Sequence, residues 1–327
     1  MPVKNLLKTQ PVEKDEDYDA GRVDVAILMC TYNGATYLRE QLESFRAQSF
    51  QNWTLYVSDD ASTDATRSIL TDYRRRWGEH KVVIFNGPCQ GFGKNFISLL
   101  KRQEIQAHYY AFSDQDDVWF SDKLERSVKR LEAITEKTPG LYCSRTRLID
   151  ATGRVIGFSP LFPRLPSFRN ALVQSIAGAN TMLVNHAARQ LLMLIPDDAK
   201  IVAHDWLTYI IVTACGGEAC YDGEPSLDYR QHSGNLIGAN SSFSDRITRL
   251  RKMLSGRFSE WNDTNVQILK DISHCTNEDS QAALQHFASG RKMKLPGRLC
   301  ELYKSGIYRQ TASGNISLIL AALLKRM

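Results

Sequence analysis

Short continuous apolar runs recur along the first half of the chain, and each is followed by a stretch whose apolar residues return every three or four positions. The run "VDVAILMC" (23–30) has no polar alternation, which suits a strand buried on both faces. "ATYLREQLESFRAQ" (35–48) then sets Leu38, Leu42 and Phe45 on one helical face. The same rhythm predicts strands over 53–60, 81–86 and 108–114, and helices over 62–77, 95–103 and 121–134. Ser62 or Thr63 would cap the second helix and Ser121 the fourth. Strictly alternating strands and helices imply an α/β fold with a mostly parallel sheet and helices on both faces. In such sheets ligands collect at the carboxyl ends of strands, here residues 31–34, 59–60 and 114–117.

The second half changes character. Residues 141–150 followed by "ATGRVIG" predict a hairpin turning at Gly153, and 180–185 a further strand between helices at 167–175 and 186–195. "DWLTYIIVTACGG" (205–217) is expected to be a buried helix stopped by its glycines. Residues 226–238 read as a strand running into a Gly/Asn-rich loop. Three regions follow: a flexible polar tail over 1–22, an α/β domain over 23–240, and a basic helical region over 241–327 with Arg246, Arg249, Arg251, Lys252 and Arg257 close together. That region is open to two readings, a solvated helical face or a surface that touches the inner face of the cytoplasmic membrane.

Composition narrows the class. The 327 residues are 43% hydrophobic and 24% charged with a net charge of +5, ordinary values for a globular protein and no mark of a nucleic-acid partner. The seven cysteines form no C-x-x-C pair and no zinc-like spacing with histidine. With an odd count and a polar beginning lacking a secretory leader, they suggest a cytoplasmic setting with most of them as small buried hydrophobes. No apolar stretch approaches the roughly 20 residues that cross a bilayer.

The chemistry gathers at the predicted strand ends. "FSDQDDVWF" places three carboxylates beside an apolar strand, where like charges repel and desolvation disfavours ionisation. Asp114 and Asp116 are two apart, so an extended backbone points both to one side. Two hard oxygen ligands there suit Mg²⁺ or Mn²⁺, which complete their shell with water and substrate phosphate. Asp117 and Asp122 read more simply as surface charge at a helix start. Of Asp59 and Asp60, one is expected to be a turn residue and the other an acceptor for a ligand N–H, with residue type unable to rank them. "CTYNG" (30–34) predicts a tight turn at Asn33-Gly34, with Tyr32 offering a ring to a base. Asp205 is either a helix N-cap or a general base. His232, in "DYRQH" with Arg230, is a candidate for metal or phosphate. The absence of G-x-G-x-x-G after the first strand argues against a nicotinamide-dependent dehydrogenase.

Taken together, "ILMCTYNGATYLREQLES", "YVSDDASTDAT", "FSDQDDVWFSDKLE", "AGANTMLVN", "HDWL" and "YRQHSGNLIG" resemble glycosyltransferase family 2, in particular its bacterial rhamnosyltransferase-like branch. The resemblance implies a GT-A fold. It also implies that Thr31 and Tyr32, with Asn33 beside them, line the nucleoside and that Asp60 accepts from the base. Asp114 and Asp116 would face the metal, diphosphate and ribose, with His232 and Arg230 near the diphosphate. Asn180 and Thr181 would lie beside the donor sugar, and Asp205 would be the catalytic base of an inverting transfer. The implied donor is dTDP-L-rhamnose, with UDP-hexose second, and the acceptor a cell-surface or lipid-linked glycan. A nucleotidyltransferase and a non-catalytic sugar-nucleotide-binding module are the rival classes. The first would want a Gly-rich basic loop after the first strand, and the second would be expected to have lost Asp205 or the Asp114/Asp116 pair.

Overall fold

The computed structural model describes residues 23–232 and 257–327. Strands β1 (Val23–Thr31), β2 (Trp53–Asp59), β3 (Val82–Asn86) and β4 (Ala107–Ser113) pair in parallel in the order β4-β1-β2-β3. They alternate with α1 (Leu38–Arg46), α2 (Thr66–Trp77) and α3 (Phe92–Leu100). After β5 (Val118–Trp119) and α4 (Lys123–Glu132), strand β6 (Gly140–Ser144) rejoins the main sheet. Strands β7 (Arg147–Asp150) and β8 (Val155–Phe158) instead join β5 in a second sheet. Then come α5 (Phe168–Ala171), β9 (Leu183–Asn185), α6 (His186–Met193), α7 (His204–Ala214), β10 (Glu218–Asp222) and β11 (Leu227–Gln231). The main sheet has seven strands in the order β10-β6-β9-β4-β1-β2-β3, and the second has four in the order β5-β11-β7-β8. The C-terminal helices are α8 (Arg257–Asp271), α9 (Glu278–Lys292), α10 (Gly297–Lys304) and α11 (Ala312–Leu323).

The period of two along β1 divides the core. Val25, Ile27 and Met29 face α1, α2 and α4, while Ala26, Leu28 and Cys30 face α3, α6 and α7. Both faces are apolar, which is why the run shows no alternation in the sequence. The second of these clusters continues through Phe258, Leu269, Phe287, Leu302 and Leu318, so the described C-terminal helices share a core with α7.

Several expectations are corrected. Strand β9 runs antiparallel to both β4 and β6, a direction that an apolar run does not encode. The predicted strand over 180–185 begins as a 3-10 turn, Ala179–Thr181. The run 141–150 serves two sheets, bending between Ser144 and Arg147, although the Gly153 hairpin joins β7 to β8 as expected. The predicted helix over 167–175 is confined to α5. Neither Ser62 nor Thr63 caps α2, whose N-cap is Ala65, and Asp122 stands at the N-cap of α4 in place of Ser121. Ser62 is drawn away because its hydroxyl donates to Asp59 at 2.6 Å and accepts from the Asn33 amide at 2.9 Å. The cysteines are all unpaired, but only Cys30 and Cys143 are buried; Cys89 and Cys300 are exposed. The tail over 1–22, the loop after His232 and the basic residues Arg246, Arg249, Arg251 and Lys252 lie outside the described residues.

The shared core gives a measurable outcome. Phe287 is fully buried in it, so Phe287→Ala should lower the unfolding free energy by about 3–5 kcal/mol, read by urea titration of the full chain. A change below about 1 kcal/mol would mean that α9 does not pack as described.

Candidate active site

The strand order reverses at β1, which lies between β2 and β4, the two neighbours that carry the chain outward on either side. The crevice at the carboxyl ends of β1 and β4 is therefore where a ligand is expected. Register aligns Met29 with Ser113, which sets Cys30 beside Asp114 and Thr31 beside Gln115 where the two strands leave the sheet. Gln115 ties the two exits together. Its side-chain oxygen accepts from the Tyr32 amide at 2.9 Å, and its side-chain nitrogen donates to the Tyr32 carbonyl at 3.0 Å. A Cβ on Gly34 would come within 2.1 Å of that Gln115 side chain, so the close approach requires glycine here. In the sequence, a glutamine among aspartates carries no charge signature that would mark this role.

The clamp leaves the Tyr32 ring 60% exposed at the rim. Its neighbours are committed within the protein. Thr31 donates its hydroxyl to Asp59 at 2.9 Å, and the Asn33 carboxamide oxygen accepts from the Thr63 amide at 2.8 Å. Asp59 is buried and also accepts from the Ser62 amide at 3.1 Å, so it is the turn residue of the pair. Asp60 is half-buried; one oxygen accepts from the Cys89 amide at 2.6 Å, and the other has no hydrogen-bond partner among the described residues. Gly87 permits this approach, since a Cβ there would lie 2.5 Å from Asp60 Oδ1.

The acidic motif divides its labour. Asp114 makes no side-chain hydrogen bond among the described residues; burial, then Asp116, then Asp205 push its carboxyl up to about 7. Asp116 Oδ2 is hydrogen-bonded to His232 Nε2 at 2.7 Å. Asp117, read from sequence as surface charge, is instead wholly buried. It accepts from Asn180 Nδ2 at 2.6 Å and from the Arg230 amide at 3.3 Å, and burial followed by its acidic neighbours raises its carboxyl. Asn180 thus supports the motif from behind. Thr181 is buried with its hydroxyl on the Gly178 carbonyl at 2.9 Å, away from the acidic motif in its bonding.

Arg230, 2% exposed, braces the same turn. Its Nε donates to the Asp116 carbonyl at 3.0 Å, its Nη2 pairs with Glu40 at 2.5 Å, and its guanidinium lies over the Tyr37 ring at 4.5 Å. Tyr37 also packs against the His232 ring, with centroids 5.0 Å apart. Lys123 is buried beneath the motif, with its ammonium 3.9 Å from the Trp119 ring centroid and no hydrogen-bond acceptor among the described residues. Burial lowers it to about 7, opposed by the nearby Asp117.

Asp205 reaches the cluster from α7. The N-cap of α7 is Ala203, so Asp205 sits in the first turn and the N-cap reading is set aside. Burial raises its carboxyl to about 6, against the Trp206 amide that donates to it at 2.7 Å. Trp206 is locked by a 2.6 Å bond to the Ala171 carbonyl and stacks on Phe258 of α8. His204, which no motif chemistry in the sequence marks, stacks on Phe96 at 4.0 Å with both ring nitrogens unpartnered among the described residues. Burial drives it down to about 3, so it is a neutral, effectively aromatic wedge under the first turn of α7.

Among the described residues no set of three or more His, Cys, Asp and Glu is arranged to enclose a metal ion. Asp114 and Asp116, with His232 on the latter, nonetheless form a donor set suited to a hard divalent ion that draws its other ligands from water and substrate. Burial, and after it the charges of Asp116 and Asp205, raises Asp114, a cost that a cation there would relieve. Two cavities of about 290 Å³ lie beside β10, at the far edge of the main sheet, and neither is lined by any of these residues.

Residues 26–153 match the family described as Glycosyl transferase family 2. The chain is 28% identical to the dTDP-rhamnosyl transferase RfbG of Shigella flexneri over 68% of this chain and 78% of that protein. It is 29% identical to the putative teichuronic acid biosynthesis glycosyltransferase TuaG of Bacillus subtilis over 49% of this chain and 62% of that one. In fold it is similar to Staphylococcus aureus TarS in complex with UDP-GlcNAc, with a TM-score of 0.53 at 18% identity over 86% of this chain and 80% of that one. It is also similar to the mannosyltransferase PcManGT of Pyrobaculum calidifontis in complex with GDP-Man and Mn²⁺, with a TM-score of 0.51 at 17% identity over 94% and 88% of the two chains. The fold is therefore that of the GT-A glycosyltransferases, as the sequence led one to expect.

The raised carboxyl of Asp114 has a pH consequence. A carboxyl whose folded pKa exceeds its unfolded value binds its proton more tightly when folded, so stability falls as pH rises from about 4 to about 7. In EDTA, Asp114→Asn should melt at a higher temperature than the parent chain at pH 8, and the gap should close near pH 4. A gap independent of pH would show that Asp114 carries no charge penalty.

Proposed function

We propose, from the premise that residues 26–153 place the chain in glycosyltransferase family 2, that it transfers a sugar from a pyrimidine nucleotide donor with inversion, and that the sugar is L-rhamnose from dTDP-L-rhamnose. The donor sugar follows RfbG, a relative matched over more than two thirds of both chains. The proposed acceptor is a precursor of a cell-surface polysaccharide, free or lipid-linked, in keeping with the similarity to TuaG, a putative teichuronic acid biosynthesis glycosyltransferase. A UDP-hexose donor is the second reading, since nothing in the described residues selects the sugar.

The observation that carries the proposal is the convergence of Asp205 on Asp114 from separate elements at the reversal of the sheet. A direct displacement needs one base for the acceptor hydroxyl and a stabilised leaving diphosphate. Asp205, raised to about 6, is ionised at neutral pH yet more basic than a surface carboxylate, which suits it to accept that proton. Its place in a turn anchored by Trp206 and wedged by His204 limits how far the carboxylate can swing. Tyr32 offers its exposed ring to the nucleobase, and the free oxygen of Asp60 an acceptor for the imide N–H. A divalent cation held by Asp114 and Asp116, with His232 supporting Asp116, would neutralise charge on the departing diphosphate. Arg230, Asn180 and Thr181 act behind this surface, holding the acidic turn and its neighbouring strand.

Asp205→Asn is expected to keep nucleotide affinity and lose about 10²–10⁴-fold in transfer, measured by release of nucleoside diphosphate with acceptor present. Full transfer by this variant would refute the base. Asp116→Ala, and EDTA treatment of the parent chain, should each weaken donor binding in calorimetry; undiminished binding in both would remove the cation from the site. A donor-hydrolysis screen across dTDP-, UDP- and GDP-sugars with Mg²⁺ and Mn²⁺ decides the donor, and preference for a purine nucleotide would overturn the pyrimidine assignment.

A further inference from the structure

Helix α11 turns part of its apolar surface outward. Leu318, Ala321 and Ala322 are buried in the shared core, whereas Ile316, Ile319, Leu320, Leu323 and Leu324 are exposed. Their spacing of three, four, seven and eight residues from Ile316 makes one stripe along the helix. Ile316, Ile319 and Leu324 are 61%, 57% and 56% exposed, far from the scattered single apolar residue that surfaces normally show.

Charge frames one end of the stripe. Residues 311–327 contain no Asp or Glu, and Lys325 and Arg326 follow the helix directly, both exposed. Buried Arg298 of α10 draws a second basic segment to the same end. It donates to the Met293 carbonyl at 2.7 Å and to the Ala322 carbonyl at 2.9 Å. Exposed Lys292 and Lys294, which flank exposed Met293, are thereby set beside the last turn of α11. None of these four cations has a carboxylate partner among the described residues. The nearest acidic side chain of α10, Glu301, is taken up by His286 and Lys304 at 2.8 Å each.

The geometry points to an anionic lipid surface as the occupant of this face, with α11 lying in the plane of the membrane interface. An apolar stripe gains by entering the acyl boundary, and cations at its edge gain from acidic headgroups. A second copy of the chain fits less well, because a two-fold contact through α11 would bring each basic end toward its own copy or leave it uncompensated. A span is excluded for this element: α11 has 12 residues against the roughly 20 needed, and no helix among the described residues is long and apolar enough to cross a bilayer.

The test is flotation of the full chain with vesicles of phosphatidylglycerol and phosphatidylcholine, and with vesicles of phosphatidylcholine alone. The chain should float with the first and not the second. The double variant Ile319→Glu/Leu323→Glu should remain in the unbound fraction, and Lys325→Glu/Arg326→Glu should partition at least about tenfold more weakly. All these side chains are exposed, so circular dichroism, melting temperature and donor hydrolysis should be unchanged in both variants. Absence of flotation, equal flotation with neutral vesicles, or flotation unaffected by either variant would overturn the inference. So would a dimer in sedimentation velocity that Ile319→Glu/Leu323→Glu dissolves while vesicle binding persists.

Discussion

Desolvation of carboxylates beside the exit of β4 is the constraint around which the site is arranged. Asp114 and Asp205 come to it from two elements; burial raises both, and for Asp114 the nearby Asp116 and Asp205 add to that cost, so Asp114 is pushed up to about 7 and Asp205 to about 6. Unfavourable charge of this kind persists only where the surrounding fold over-determines the position of each group. Here the fold does so with buried polar side chains. Arg230 and Asn180 grip the backbone and the third carboxylate of the motif, and Gln115 fastens β4 to the turn after β1.

That arrangement separates residues facing a ligand from residues holding them there. Thr31, Asp59, Thr181 and the carboxamide oxygen of Asn33 are hydrogen-bonded within the protein, while the Tyr32 ring, one oxygen of Asp60 and the Asp114 carboxyl have no such bond among the described residues. Arg230 belongs with the supports: a guanidinium shared among a carbonyl, Glu40 and the Tyr37 ring fixes His232 and Asp116 relative to one another. Removing one partner from such a buried network leaves the others unpaired, so these residues matter to the site without touching substrate.

The C-terminal helices enter the same design through Trp206. Its ring stacks on Phe258, and the core that begins at α7 runs on into α9, α10 and α11. The residue beside the proposed base is therefore packed against an element that follows it by some fifty positions. Phe258 of α8 packs on Trp206 and His204 stacks on Phe96, so both flanking side chains of Asp205 are fixed in the core, and burial raises its carboxyl.

The sequence by itself determined the strand and helix rhythm of residues 23–132, since burial on both sheet faces demands uninterrupted apolar runs. It also determined which carboxylates stand at strand ends, because composition and period place Asp60 and Asp114 there without reference to distant residues. Tertiary structure decided everything that depends on partners far along the chain. The antiparallel sense of β9, the split of 141–150 between two sheets, and the burial of Asp117 each follow from contacts with segments that local pattern cannot see. The same holds for the caps, where Ser62 was claimed by Asp59 and Asn33, and for Gln115 and His204, whose roles arise from what lies opposite them. A residue type states which bonds are available to it; only the assembled neighbours settle which of those bonds are made.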